Sequence, residues 1–507
     1  MGAQLIKEGV YWVGVQDPGL RVFDIIMTTE HGTSYNAYLI KGNDKTALVE
    51  TVKDGFYDEY RSNIESIISL EQIDYLIVNH SEPDHSGSLV RLLESCPGLT
   101  VVAHHTALAF LKEICPRPFQ SKLVSNRDSL DLGGKTLHFI SAMLLHWPDT
   151  IYTYLEEDKI LFSCDSFGCH YSDDRLFSDL IPGDFLYDYK YYFDHILSPF
   201  KTYVNQALNK LRHYQLDLIC PGHGPILRDR IPYYLDLYRE WAKPRDEFLP
   251  QRVVLAYVSA YGYTRSLADK IMQGLQAAGD FEILCYDLIE STVNEVATAV
   301  DDAAGLLLGS PTLNKDALPP VWFLLSRLSP ISHSGKLAAA FGSYGWSGEA
   351  VPNIEKRLHM LRMKVLPGLR VRFKPGEADL QKAFELGKKF GQLLLNPDQD
   401  AVEAQCLLPL VPTHADLKVE DYSKRYANQD LTVYWNPDLC HHDTYCFTRL
   451  VSVFNPEARP WVKLDGDRPE RIIKAINRCP SGALRYSFPP GSPLDREENK
   501  GPGYIKE

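Results

Sequence analysis

The chain has 507 residues, 45% hydrophobic and 23% charged, with a formal net charge of −13. That length suggests about three domains, and the acidic balance, concentrated in residues 1–250 with 23 basic against 35 acidic side chains, argues against nucleic acid as a partner. No apolar run approaches the ~18 residues that cross a bilayer, and the opening MGAQLIKEGVYWVG carries neither a signal-peptide apolar region nor the serine or threonine of a myristoylation signal, so the sequence predicts a cytoplasmic protein with no membrane partner.

In residues 1–250, the runs VYWVGV, LRVFDII, SYNAYLI and KTALVET alternate with turn residues and read as sheet. Helical patterns follow over 58–68 and 88–95. The order then repeats: strand LTVVAH, helix HTALAFLKEI, then strands TLHFISA, YTYLEE and KILFSCD. Two sheets with helices outside fit this better than one doubly wound sheet. The stretch VNHSEPDHSGSL holds His80, Glu82, Asp84 and His85 within six positions, straight after the apolar run 75–78. Alternate residues of an extended backbone point one way, and the next pair is offset from them. That spacing suits two adjacent metals better than one, against the plainer reading of a polar loop capping a helix. Three more candidates end apolar strands: His146 in LLHWPDT, Asp165 in LFSCDSFG and His223 in CPGHGP. Singly, each has an ordinary explanation, since a lone histidine is usually satisfied or exposed and Asp165 could cap a helix.

Their order carries more. HxExDH, then His, Asp and His, each after an apolar strand, resembles the metallo-β-lactamase fold and implies an αββα sandwich over 1–250. The commoner motif there is HxHxDH, which suits zinc hydrolases. Glu82 in its second position adds a hard carboxylate and shifts preference towards iron or manganese. This resembles the diiron domain of the flavodiiron proteins, and LFSCDSFGCHY is similar to that family's segment around a bridging aspartate. The resemblance implies two non-haem irons. His80, Glu82 and His146 would bind one, Asp84, His85 and His223 the other, and Asp165 would bridge them. His170 or Tyr171 would help to move protons.

Residues 251–396 start with a buried strand, RVVLAYV, that feeds SAYGYTRS and a helical pattern over 267–278. A hydroxyl- and glycine-rich loop at a helix N-terminus is a phosphate site, with Ser259, Thr264 and Ser266 as donors. No GxGxxG dinucleotide signature is present. The pattern S-x-x-G-x-T resembles the phosphate loop of flavodoxins, which implies FMN and a doubly wound fold. Two later strands, AGLLLG and LAAAFG, end in SPTLNKDALPP and SYGWSGEAVP, and ligands of open α/β sheets sit at the carboxyl ends of strands. The predicted cofactor contacts are Ser259, Tyr261, Gly262, Tyr263 and Thr264, then Pro311, Thr312, Leu313 and Asn314, then Ser343, Tyr344, Gly345 and Trp346. Tyr261, Leu313, Tyr344 and Trp346 would sandwich the flavin ring; the alternative for each is core packing. Strands near 281–286 and 365–373 complete a sheet of five, closed by a helix over 379–395.

Residues 397–425 read as a linker and 426–490 as a small α+β module. Its strand LTVYWN precedes PDLCHHDTYCFTRLVSVF, and ERIIKAINRCPSGALRYSF comes much later. Cys440, Asp443 where a middle cysteine would stand, Cys446 and Cys479-Pro480 resemble a divergent mono-cluster ferredoxin, which implies an Fe–S cluster. Three thiolates can hold [3Fe–4S]; Asp443, with His442 as rival, could complete [4Fe–4S]. The competing reading is a zinc knuckle that enlists His441 or His442, although zinc motifs favour shorter spacings. Cys96, Cys115, Cys164, Cys169, Cys220, Cys285 and Cys406 read as small core residues. Residues 491–507, rich in glycine, proline and charge, read as a surface strap or a disordered tail.

A metal pair, a flavin and a cluster in one chain form an electron path. The flavodiiron resemblance, over residues 1–396, implies an oxidoreductase that reduces dioxygen to water, nitric oxide to nitrous oxide, or both. Electrons would pass from cluster to FMN to diiron site. No NAD(P)H-binding domain is visible, so the donor would be a separate protein: a ferredoxin, a rubredoxin or an NAD(P)H-dependent reductase. The resemblance also implies a head-to-tail homodimer, or a tetramer built from it. Two other readings compete: a zinc hydrolase with redox-regulatory domains, and a slow-turnover gas or redox sensor.

Overall fold

Thr46–Val49 and Tyr75–Val78, four residues each and almost wholly buried, form the middle of a mixed sheet in the computed structural model of the chain. The structure describes residues 2–23, 27–243, 251–346, 348–396, 417–440, 445–479 and 481–506. These fall into two compact units, Met1–Asp246 and Glu247–Glu507.

In the first unit the mixed sheet has seven strands, in the spatial order Gln4–Lys7, Val10–Trp12, Tyr38–Lys41, Thr46–Val49, Tyr75–Val78, Thr100–Ala103 and Gln120–Leu123. A second sheet of five runs Ser129–Asp131, Thr136–Ser141, Ile151–Leu155, Ile160–Cys164 and Leu218–Pro221. Alternate residues explain the stacking. Ala47, Val49, Ile77 and Val102 of the first sheet share one core with Phe139, Ile151, Leu155, Ile160 and Phe162 of the second. Leu48, Leu76 and Val101 point the other way and are equally buried, which is why a strand covered on both faces reads as a continuous apolar run. The helices include Tyr57–Glu65, Leu89–Ser95 and His105–Ile114, and later Leu186–Tyr192, Lys201–Leu211 and Ile231–Trp241.

The second unit opens on a five-stranded parallel sheet, ordered Phe281–Asp287, Gln251–Tyr257, Gly305–Gly309, Leu337–Tyr344 and Lys364–Arg372. This is the doubly wound order 2-1-3-4-5. Helices Tyr263–Ala278 and Glu377–Leu395 pack on one face, and Val293–Asp301, Pro319–Arg327 and Ala350–Met360 on the other. A small module follows: antiparallel strands Lys424–Ala427, Thr432–Trp435 and Leu484–Ser487, with helices Tyr445–Arg449 and Pro469–Ile476.

The last residues are not loose. Ile505 N–H donates to Tyr486 O at 2.8 Å, Tyr486 N–H to Gly503 O at 3.0 Å, and the Tyr486 hydroxyl to Asn499 O at 2.6 Å. The tail is a strap along strand Leu484–Ser487, and Gly503 N–H reaches the Asn477 side chain at 2.8 Å. No helix among the described residues is long and apolar enough to cross a membrane.

Candidate metal centre

Strand Tyr75–Val78 ends at the buried Asn79, and the chain then turns into the short helix Pro83–Ser86 with proline in its first turn. Glu82 stands just before that helix with an extended backbone, so its side chain diverges from those of Asp84 and His85. It is met instead by His146, whose Nε2 lies 3.0 Å from Glu82 Oε2, and by His80 Nε2 at 3.1 Å. Asp84 Oδ2 lies 3.0 Å from His223 Nε2. Gly222 leaves the room for His85: a Cβ there would stand 2.5 Å from the imidazole Cε1.

Asp165 joins the two groups. Its Oδ2 faces His146 Nε2 at 3.5 Å and His80 Nε2 at 3.6 Å. Its Oδ1 faces His85 Nε2 at 3.0 Å and His223 Nε2 at 3.5 Å. Ligand atoms of His80, Glu82, His146 and Asp165 all lie within 4.8 Å of one another, as do those of Asp84, His85 and His223. Ligand atoms ~2.1 Å from one cation stand roughly 3–3.5 Å apart, so both groups have the right size. All seven residues singled out in the sequence therefore converge.

Proton counting shows what this arrangement wants. Ser34 O can only accept, so His223 Nδ1, 2.7 Å away, carries the proton. In the neutral ring Nε2 is then bare, yet it faces a carboxylate oxygen. His80 repeats this: Nδ1 lies 3.2 Å from Asp149 Oδ1, and Nε2 faces Glu82 and Asp165. Acceptors facing acceptors need protons or a cation between them. Asp84 Oδ1 and Asp165 Oδ2 are buried and have no hydrogen-bond partner among the described residues. These residues fit a pair of cations.

The electrostatics agree. Burial opposes charge on Glu82 and Asp84, but histidines outweigh it, His146 and His80 for the first and His85 and His223 for the second, and hold both carboxyls at about 2. Burial likewise opposes charge on His80, yet Asp149 raises that imidazole well above its ordinary range.

Several partners were not singled out in the sequence. Asp149 accepts from Ser81 N–H at 2.9 Å as well as facing His80. It stands three residues after His146, in the WPD that could have signalled it. Tyr192 donates its buried hydroxyl to Asp165 Oδ1 at 2.9 Å, and nothing local marks it. Glu50, buried and pushed up to about 8 chiefly by that burial, lies with Cys164 behind His85. His170 sits beside His223, ring centroids 5.2 Å apart, with Nδ1 on the Thr33 hydroxyl. Tyr171 instead packs against His31. Loss of a carboxylate that orients a metal-bound imidazole costs roughly 10–100-fold in metal affinity. Asp149→Asn should show that loss in a metal-competition titration, with the melting temperature nearly unchanged; wild-type affinity would remove Asp149 from the site.

In the second unit the three predicted loops meet at the carboxyl edge of the parallel sheet. Thr264 Oγ1 and Ser343 Oγ are 3.2 Å apart, and Thr312 N–H donates to Ser343 O at 2.9 Å. Ser259 Oγ accepts from Arg265 N–H at 3.2 Å, at the start of helix Tyr263–Ala278. Gly262 (φ 79°) and Asn314 (φ 53°) make the left-handed turns. Tyr261 and Trp346 are 79% and 84% exposed, so neither is core packing. In the small module, Cys440, Cys446 and Cys479 are all half-buried, and the last two pack against the apolar core. Burial, then Cys440 and Cys479, push the Cys446 thiol up. His441, His442, Asp443 and Pro480 lie outside the described residues.

Fold and site together define a class: a metallo-β-lactamase-like sandwich with a paired metal centre, followed by a flavodoxin-like domain. Residues 33–224 match the ODP family beta lactamase, residues 255–387 flavodoxin, and residues 426–488 the divergent 4Fe-4S mono-cluster family. The chain is 44% identical over 404 residues to flavo-diiron protein FprA2 of Clostridium acetobutylicum, covering 77% of this chain and 100% of that one. It is 36% identical over 392 residues to a nitric oxide reductase of Moorella thermoacetica, covering 76% and 97%. Among solved structures, rubredoxin oxygen:oxidoreductase from the anaerobe Desulfovibrio gigas is similar, with TM-score 0.61 and 27% identity over 78% of this chain and 100% of that one. The chain belongs to the flavodiiron protein family.

Proposed function

We propose that the protein is an oxidoreductase that reduces dioxygen to water, nitric oxide to nitrous oxide, or both, at a non-haem diiron site. The observation that carries this reading is Asp165, whose two oxygens face two different ligand groups. His80, Glu82 and His146 would hold one iron, Asp84, His85 and His223 the other, with Asp165 between them. Held there, a reduced iron pair would supply the electrons for reduction of the gas. The residues do the rest. Asp149 and Ser34 O hold the outer protons of His80 and His223. Tyr192 fixes Asp165 by its hydroxyl. Burial of His170 keeps that imidazole well below its ordinary range, so it stays neutral beside the site.

The carboxyl-edge loops support FMN, with Ser259, Gly262, Tyr263 and Thr264 around the phosphate, and Tyr261, Pro311–Asn314 and Ser343–Trp346 flanking the ring. Cys440, Cys446 and Cys479 would hold an Fe–S cluster in a module spanning 426–490. The match of residues 426–488 to the divergent 4Fe-4S mono-cluster family supports a cluster over a zinc knuckle. The D. gigas and M. thermoacetica relatives support the two gases and a separate electron-donor protein. A homodimer or tetramer in the cytoplasm completes the proposal.

Glu82→Ala separates this reading from a zinc hydrolase. The variant should lose iron and gas-reducing activity while FMN stays bound. Zinc in the wild-type site from iron-replete cells, together with hydrolase activity of that form, would overturn the proposal. Steady-state gas consumption with a strong reductant separates an enzyme from a sensor.

A further inference from the structure

All five strands of the flavodoxin-like sheet are parallel, so the domain has two unlike ends. The predicted FMN loops follow the carboxyl ends. The small module touches the other end. Arg449 donates from Nη2 to Ser334 O at 2.8 Å, and its Nη1 lies 3.7 Å from where a Cβ on Gly335 would stand. Ser334 and Gly335 precede strand Leu337–Tyr344. The Arg362 guanidinium lies 5.7 Å from the Tyr445 ring centroid, and Arg362 precedes strand Lys364–Arg372. The two points are neighbours, because Gly335 N–H donates to Arg362 O at 2.9 Å.

This contact belongs to the cysteine edge of the module. Tyr445 stands immediately before Cys446, and Arg478 immediately before Cys479. The two are joined by a hydrogen bond of 2.8 Å from Arg478 Nη1 to the Tyr445 hydroxyl. Strand Leu337–Tyr344 has 8 residues, so at ~3.3 Å per residue roughly 25 Å of sheet separates the contact from the Ser343–Trp346 loop. Electron tunnelling decays steeply over such a gap. Among the described residues the most densely packed pairs of elements lie within each module, and Arg449 is exposed.

We propose that this contact is a parking dock: the Fe–S module rests on the end of the flavodoxin-like domain remote from the FMN loops and reduces the flavin only after leaving it. The inference rests on the cofactors assigned under Proposed function. Each delivery oxidises the cluster by one electron and reduces FMN by one. Two deliveries with two protons complete FMNH2, and a separate one-electron donor protein refills the cluster each time. Arg449 and Arg362 thus set how often the cluster is free to deliver.

The test locks the dock. Ser334→Cys and Arg449→Cys are combined with Cys285→Ser, which removes the one exposed native thiol among the described residues, and with Cys406→Ser, and joined by a short bifunctional thiol crosslinker in holoprotein. Cofactor content is measured first, and protein that never binds FMN or a cluster refutes the underlying functional reading. With both present, the cluster is reduced anaerobically and flavin bleaching is followed by stopped flow. Crosslinking should slow bleaching at least about tenfold, with cluster reduction unchanged. The loosened Arg449→Ala/Arg362→Ala variant should bleach faster than wild type. Bleaching at the wild-type rate in the crosslinked protein overturns the proposal, whether electrons then cross the dock or pass between chains.

Discussion

An Asp165→Asn variant should purify with both metal positions depleted and with gas reduction lowered by more than the roughly 100-fold that loss of an outer orienting partner costs. The change keeps the side chain's shape but removes its charge and turns one oxygen into an amide nitrogen that cannot bind a cation. Tyr192 donates to Oδ1, which keeps an oxygen on that side and turns the amide towards His80 and His146. The position held by His80, Glu82 and His146 should therefore empty first. Metal analysis and the iron absorption spectrum read this directly, beside a melting curve that shows the fold intact. Two irons retained with wild-type turnover would remove Asp165 from the bridging role.

Gly342→Ala should leave the metal centre loaded and strip the flavin. A Cβ on Gly342 would stand 1.9 Å from Ser310 O, a backbone atom that no rotamer change can clear. Ser310 N–H donates to Phe341 O at 3.0 Å, so the clash pries apart two adjacent strands where their loops begin. Overpacking of this kind costs about 1–3 kcal/mol, roughly several degrees of melting temperature in a unit of this size. The expected result is protein that lacks the flavin absorption bands, with normal metal content and a lowered transition for the second unit. Gly376→Ala, outside these loops, is the comparison. Its Cβ would meet only the Asp379 carboxylate among the described residues, at 3.9 Å, which is ordinary contact. Equal flavin occupancy in the Gly342 variant and wild type would sink the assignment of these loops.

The gathered ligand types were legible because they lie at strand ends within short, recognisable stretches. His80, Glu82, Asp84 and His85 span six residues, and each of His146, Asp165 and His223 closes an apolar run. Their supports were not legible. Tyr192 reaches Asp165 across 27 positions and Ser34 reaches His223 across 189, and only the fold brings such pairs together. The same holds for elements. Helices Leu186–Tyr192 and Ile231–Trp241 are full of tyrosine, a residue enriched in strands, and only their packing makes them helical. Strand Gln120–Leu123 is exposed along its whole length, so it has no alternation to read. The tail's composition of glycine, proline and charge hid Tyr504 and Ile505, which seat it.

That strap matters to anyone who handles the protein. Gly503 is tied to Asn477, two residues before Cys479, so this stretch of chain braces the loop that presents the Cys479 thiol. Deletion of residues 499–505 would then surface as bleached protein rather than as a tidy shortened product. An affinity tag is better fused at the amino end, and mass spectrometry of the intact carboxyl terminus is a sensible first check on any pale preparation.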